Sequence, residues 1–301
     1  MTLALQSPVD ASDREGWLRW RTSGIGSSDA AAVAGISPWA TPFEIYCRKL
    51  GLAPEVEETR AMRIGTLMEP VIAQLYADET GHEIADRQVC VTHPTLPFVR
   101  ATLDGLREDG RIVEFKTAGI RAAKEWGDEN DAIPDYYAIQ LHHQMLARDA
   151  EVADLAVLIG GQDFRVYTVE RYEPTAARLI ELESEFWDRV QRRDPPPATA
   201  VADARLYACL YPNPEGETDL GDAGRIQAMN YEECGREIKR LEEARERAKL
   251  ELLAALGPHQ TGLLPDGRRV KRSVIQVAER VQTVKAHLQT RLYISKGNSN
   301  G

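Results

Sequence analysis

The sequence predicts an α/β or α+β protein: a mixed sheet of about five strands flanked by helices, followed by a helix-and-hairpin appendage. Three observations carry this. Five short runs of strand character lie between residues 88 and 171: QVCVTH, FVRATLDGLRE, RIVEFKTA, ADLAVLIGG and FRVYTVER. Segments of helical period precede, interrupt and follow them. Asp194-Pro195-Pro196-Pro197 then breaks the chain, dividing a core at 1–197 from an extension at 198–301.

The totals bound the function. With 301 residues there is room for one large domain, or one domain and an appendage. No apolar run approaches the ~20 residues that span a bilayer, and the N-terminus has no basic stretch leading into an apolar core, so no secretory signal is expected. Cys47, Cys90, Cys209 and Cys234 are far apart, which fits neither a zinc site nor a disulfide framework and points to a reducing cytoplasm. A net charge of −10 argues against coating DNA with the whole surface. It leaves room for a local positive channel.

Taken in order, a helix over Glu15–Arg21 leads into Gly24-Ile25-Gly26-Ser27-Ser28. A second helix spans Asp29–Ala34, with Ser27 or Ser28 as its N-cap. Its N-terminus beside Arg21 is either a phosphate site or plain capping, and Asp29 would repel a phosphate. Gly35 ends that helix, and Ser37-Pro38-Trp39 makes a turn. Thr41–Leu50 continues as helix with Phe43 and Tyr46 inward, and an acidic loop spans 51–60. Ala61–Thr80 is helical, with an apolar stripe of Ile64, Leu67 or Met68, Val71 or Ile72, and Leu75. Pro70 predicts a kink or a fresh start there. Glu69, off the stripe, either reaches a metal or is simply exposed.

Beyond the first strands, 119–133 is a charged loop or short helix with Arg121, Lys124 and Trp126. Pro134 opens a helix on which Tyr137, Gln140 and Gln144 share one face, turned to a polar cleft or to solvent. The adjacent His142 and His143 point in different directions and are not read as ligands. Glu173–Arg193 is amphipathic, with Leu179, Leu182, Phe186 and Val190 on its apolar face. After Pro197 an irregular stretch reaches Gly224. A charged helix follows over 225–256, whose Ile238, Leu241, Ala248 and Leu252 pair with another subunit or pack on the same chain. Residues 262–275 read as a hairpin carrying Arg268, Arg269, Lys271 and Arg272, which either track a phosphate backbone or solubilise an edge. The tail SKGNSNG is expected to be disordered.

The chemistry concentrates at RATLDGLREDGRIVEFKTA, residues 100–118. Glu114 and Lys116 share a strand face because side chains alternate. A two-residue Asp109-Gly110 loop would turn Asp104 away from Glu114. A three-residue loop, Glu108-Asp109-Gly110, with Gly110 left-handed, pairs them, and this is the loop we expect. Two neighbouring carboxylates repel unless a cation lies between them. Mg²⁺, an octahedral oxygen binder, meets that need, with the Phe115 carbonyl as a further ligand. Lys116 would activate water or offset phosphate charge, the toolkit of metal-assisted phosphodiester hydrolysis. The alternative is a surface hairpin with a Lys–Glu pair.

Arg21 with GIGSSDAAA and SPW, then GTLMEP, LDG, EFK and YYAIQLHHQ occur in one order. In that order they resemble the YqaJ-type viral recombinase family, relatives of lambda exonuclease with the restriction-endonuclease-like PD-(D/E)xK core. The resemblance covers residues 13–193. It implies a two-metal enzyme (Mg²⁺, with Mn²⁺ substituting) that degrades linear double-stranded DNA 5′→3′. The products are 5′-mononucleotides and a 3′ overhang for a single-strand annealing protein. By position it implies Glu69, Asp104 and Glu114 as acidic metal-site residues with the Phe115 carbonyl, and Lys116 as the catalytic lysine. Gln140 would orient water or phosphate, with Tyr137 beside it. Arg21 and Ser28, or Ser27, would hold a 5′-phosphate, with Arg121 a further DNA contact. It also implies a homo-oligomer, as in the trimeric ring of lambda exonuclease, and a phage or prophage origin in the bacterial cytoplasm. The extension after Pro197 departs from the lambda enzyme and puts the ring in question. A sequence- or structure-specific endonuclease of the same fold, and a non-catalytic recombination scaffold, are the competing readings.

Overall fold

The 100–118 hairpin anchors the sheet. In a computed structural model of the protein, described here at residues 13–53, 57–128 and 132–276 and at 288, 289, 292 and 294, strands β3 (Val99–Arg107) and β4 (Ile112–Ala118) are joined by a three-residue turn. Arg107 N–H donates to Arg111 O at 3.0 Å, and Gly110 N–H to Arg107 O at 2.9 Å. Gly110 has φ +83°, the left-handed conformation that glycine adopts without a Cβ clash. The pairs Gly105↔Val113 and Leu106↔Ile112 follow, so the next step of the register falls on Asp104 and Glu114, as expected.

The other strands are built outward from this pair. Strand β2 (Ile84–Thr92) runs antiparallel to one edge of β3. The other edge of β3 is shared: the two-residue β1 (Ile25–Gly26) pairs parallel with Val99 and Arg100, and β4 pairs with Gly105 and Leu106. Between those contacts the two sides fork, with Asp104 at the fork. Strand β5 (Val152–Ile159) lies parallel to β4, and β6 (Asp163–Glu170) antiparallel to β5. The mixed sheet of about five strands is present, with β1 as a short sixth.

Helices cover both faces. Leu103, Leu155 and Val157 pack under Leu141 and Met145 of α5 (Asp135–Arg148). On the other face Val113, Phe115, Ala156 and Leu158 pack under Ile72 and Tyr76 of α4 (Arg60–Thr80). Each such apolar side chain, fully buried, contributes about 1.5–3 kcal/mol. A third cluster joins Ile25 to Phe43, Tyr46 and Cys47 of α3 (Pro42–Lys49) and to Phe186 and Val190 of α6 (Glu173–Arg192). Helices α1 (Arg14–Thr22) and α2 (Ser27–Val33) flank β1.

Several expectations are corrected. Helix α4 runs unbroken through Pro70, with no fresh start. Its predicted stripe is buried only in the second half. Ile64 and Leu67 remain exposed, while Ala61, Met62, Gly65, Thr66 and Glu69 of the same half line a cleft. Helix α2 is capped by Gly26 rather than by Ser27 or Ser28, and Asp29 reaches back to accept from Gly26 N–H at 3.1 Å. The triproline ends α6 but not the first compact unit, which runs to Pro212. There the 3₁₀ turn Val201–Leu206 and α7 (Tyr207–Leu210) fold back. Tyr207 stacks on Phe43 at 5.3 Å, and Thr41 Oγ1 donates to Asp203 Oδ1 at 2.7 Å.

The second unit, Asn213–Gly301, holds α8 (Gly221–Leu256) and the hairpin of β7 (Thr261–Leu263) and β8 (Arg269–Lys271). Ile238 and Leu241 of α8 are exposed, while its charges pair within the helix, as in Arg236–Glu233 and Arg240–Glu237. In the hairpin, Arg268 is held by Asp266 and Arg272 donates to Gly257 O. The SKGNSNG tail lies outside the described residues.

Candidate active site

Asp104 projects from the β3–β4 fork, where its carboxylate Oδ2 accepts from Phe115 N–H at 3.1 Å in place of a ladder bond. The fork needs glycine next door: a Cβ on Gly105 would come within 3.1 Å of the Phe115 ring. Glu114, two per cent exposed, lies across from Asp104 with three donors on it. Lys116 Nζ and Gln140 Nε2 both reach Oε1 at 2.5 Å, and Gln144 Nε2 reaches Oε2 at 2.6 Å. The polar face of α5 predicted from the spacing of residues 137, 140 and 144 is therefore turned inward onto this carboxylate.

The electrostatics follow. Burial, and then the Glu114 charge, push the Asp104 carboxyl well above the usual carboxylate range, with Lys116 only partly opposing. Burial works against the Lys116 ammonium, but Glu114 and Asp104 outweigh it and raise its pKa above the ordinary lysine value. Its Nζ also lies 5.0 Å from the centroid of the Tyr137 ring.

Glu69, on α4, faces the same cleft but is engaged elsewhere. Arg87 Nη2 lies 3.2 Å and Gln88 Nε2 3.1 Å from its Oε2. Among the described residues no group of three or more His, Cys, Asp or Glu is placed to hold a metal ion. Asp104 and Glu114 thus meet without Glu69. Gln88 has φ +53°, a conformation that costs a non-glycine residue about 1 kcal/mol or more.

The opposite wall is cationic. Arg21 Nη2 donates to Ser28 Oγ at 2.7 Å and its guanidinium lies over Trp17. Arg100 stacks over Trp20 and donates to Ser23 Oγ. The objection that Asp29 would repel an anion is answered by Lys49, whose Nζ is 2.6 Å from Asp29 Oδ2, with both side chains buried. Burial raises the Asp29 pKa, but Lys49, Arg21 and the Gly26 N–H outweigh it and hold it at about 2. Lys49 also donates to Arg21 O at 3.1 Å, tying the ends of α1 and α3 to the start of α2.

One cleft of ≈ 680 Å³ gathers Arg21, Ser27, Ser28, Glu69, Asp104 and Glu114, together with Phe115, Lys116, Tyr137 and Gln140. Arg121 is the exception among the first unit's predicted site residues. It sits exposed on the 3₁₀ turn Ile120–Glu125 and does not line the cleft. Sequence reasoning missed Gln88, Lys49 and Arg100, and did not place Gln144 in the site. Only Gln144 had a signal, its helical spacing from Gln140. His143 is buried between Glu183 Oε1, at 2.6 Å from Nδ1, and Arg100 O, at 2.8 Å from Nε2, while His142 Nε2 accepts from Tyr172 N–H at 3.2 Å.

Comparison with known proteins bears on the family and the fold. Residues 16–151 match the YqaJ-like viral recombinase domain. The chain is 34% identical over 179 residues to the uncharacterized protein YqaJ of Bacillus subtilis, a match spanning 58% of this chain and 56% of that protein. Among solved structures, the alkaline exonuclease LHK-Exo of Laribacter hongkongensis superposes with a TM-score of 0.50 at 23% identity, over 60% of this chain and 94% of its own, which establishes a shared fold. A putative exonuclease from Eubacterium rectale matches with a TM-score of 0.47 at 13% identity, over 72% and 97%. Residues 16–151 are thus similar to the YqaJ-like viral recombinase domain, and the chain shares the mixed-sheet fold of the alkaline exonuclease LHK-Exo.

Proposed function

We propose that the protein is a divalent-metal-dependent exonuclease that degrades linear double-stranded DNA 5′→3′, releasing 5′-mononucleotides and leaving a 3′ single strand. The observation that carries this reading is the meeting of Asp104, Glu114 and Lys116 at the β3–β4 fork, in one cleft with Arg21 and Ser28. Two adjoining carboxylates, with the Phe115 carbonyl next to Glu114 in sequence, form a hard, anionic oxygen set, which fits Mg²⁺ or Mn²⁺. Asp104, Glu114 and the Phe115 carbonyl would hold the metal, with Glu69 joining on release from Arg87 and Gln88. Bound metal would supply a nucleophilic water at neutral pH and neutralise charge on the departing 3′ oxygen.

The chain's own groups do the rest. Lys116 sets a positive charge beside the scissile phosphate. Gln140 and Gln144 fix the Glu114 carboxylate, and Gln140 is placed to orient water. Arg21 and Ser28 receive the terminal 5′-phosphate, which would give a preference for ends. Arg269 and Lys271 of the second unit would add backbone contacts. A single-strand annealing protein as partner, self-association, and work in the cytoplasm of a phage-bearing bacterium belong to the same reading.

The test is linear duplex DNA labelled at either end beside a closed circle, with Mg²⁺ or EDTA. Mg²⁺-dependent loss of the 5′ label as mononucleotide, with the circle intact, is expected. Cutting of the circle would replace this reading with an endonuclease, and binding without cutting with a scaffold. Arg21→Ala should remove the preference for 5′-phosphorylated over 5′-hydroxyl ends; an unchanged preference would strip Arg21 of its role.

A further inference from the structure

Trp39 lines the cleft, yet the roles given above leave it without one. It is 65% exposed. An indole so open to water, lining a polar cleft, presents apolar surface to solvent beyond its contacts with neighbouring rings. Its position is fixed by the chain around it. Gly35 leaves α2 at φ +77°, and the N–H groups of Ile36 and Ser37 both return to Ala31 O, at 3.0 and 3.1 Å. Ser37 Oγ accepts from Trp39 N–H at 3.2 Å. The ring is braced by Tyr136, edge-on with centroids 4.8 Å apart, and by Tyr137 at 6.0 Å. Tyr136 is held in turn by its hydroxyl, which donates to Glu125 Oε2 at 3.0 Å.

The brace leads to the chemistry. Tyr137 carries the Lys116 ammonium 5.0 Å from its centroid. The indole lies 6.0 Å from Tyr137 and Nζ a further 5.0 Å beyond, a path a little longer than three nucleotide rises of about 3.4 Å each. A preorganised, exposed aromatic at that range from a phosphate-cutting centre has one fitting ligand class on a nucleic-acid strand, the face of a base. Stacking is indifferent to sequence because every base has a π face. That is the contact an enzyme needs if it is to move along a strand whatever its sequence.

We propose that Trp39 is a nucleobase platform, stacking on one base of the strand being cut within about three nucleotides of the scissile linkage. This deepens the exonuclease reading and rests on it. The test uses 5′-phosphorylated linear duplexes in which a single abasic residue is moved through the first five positions from the 5′ end, cut in single turnover with Mg²⁺. For the wild type, one position should slow cutting by about 5- to 150-fold, the range of a lost base stack. Trp39→Ala should be slowed by a similar factor on intact DNA and show no further loss at that position. Trp39→Phe, which keeps a smaller ring and the fold, should fall between and serves if the alanine variant does not fold. A variant that cuts intact DNA at the wild-type rate, or keeps the positional defect, would overturn the platform and leave the exonuclease standing.

If the wild type cuts no linear duplex with Mg²⁺, the exonuclease reading fails instead. Metal-free binding of a single-stranded oligonucleotide then decides the platform. Quenching of wild-type tryptophan fluorescence that is absent in Trp39→Phe supports stacking; equal quenching in both refutes it.

Discussion

Replacing Asp104 with asparagine should make the metal-free protein more stable and the metal-loaded protein less so. Asp104 and the nearly fully buried Glu114 are like charges across one fork, with Lys116 the ammonium directly paired to Glu114. Asparagine keeps an oxygen to accept from Phe115 N–H and removes one charge. Relieving one of two crowded, partly desolvated carboxylates is worth about 1–2 kcal/mol. For a unit of this size that is about 2–8 °C in melting temperature. Metal reverses the order. A ligand at 100 times its dissociation constant adds about 2.7 kcal/mol to the protein that binds it, and the variant, with half the anionic charge at the fork, should gain little. Scanning calorimetry of both proteins in EDTA and in a Mg²⁺ series reads the crossover, and cleavage should fall about 100-fold or more. The reasoning fails if the variant melts lower in EDTA, or if Mg²⁺ raises both melting temperatures equally.

Three further outcomes follow from neighbouring groups. Gln88→Gly releases a left-handed backbone and removes the amide on Glu69. Stability should be unchanged or rise by up to about 1 kcal/mol while less Mg²⁺ is needed for half-maximal cutting, because Glu69 is freer to join the metal; a loss above about 1 kcal/mol in urea unfolding would show the residue to be structural. Lys49→Met leaves the Asp29 carboxylate buried without its cation and should cost about 3–5 kcal/mol, most of it restored by adding Asp29→Asn, which keeps the Gly26 cap; no rescue in the double variant contradicts this. Burial lowers the His143 pKa, but Glu183 and the Arg100 carbonyl outweigh it and raise it. Its stabilisation is therefore complete below about pH 6.5 and lost as pH rises through the raised value, and the alkaline decline in melting temperature should flatten in Glu183→Gln.

The sequence by itself determined the parts governed by local rules. The hairpin was legible because Gly110 permits the left-handed turn residue that sets register, and register fixed which side chains face together. The inward face of α5 was legible because helical period puts residues 137, 140 and 144 in line. The strands and most helices followed from apolar period and breakers for the same reason. Only the tertiary structure decided what depends on which surfaces meet. The apolar period of α4 is continuous in sequence, yet Ile72 and Tyr76 are buried against β4 and β5 while Ile64 and Leu67 stay exposed. Asp29 read as hostile to an anion until α3 brought Lys49 against it from twenty residues away. Glu69 read as metal-reaching or exposed, and only the fold shows that β2 brings Arg87 and Gln88 onto its carboxylate. Pro197 read as an end, because nothing local reveals that Leu206 and Tyr207 return to Phe43. Short-range sterics and period are written residue by residue, whereas the pairing of buried charges is settled only when distant segments desolvate one another.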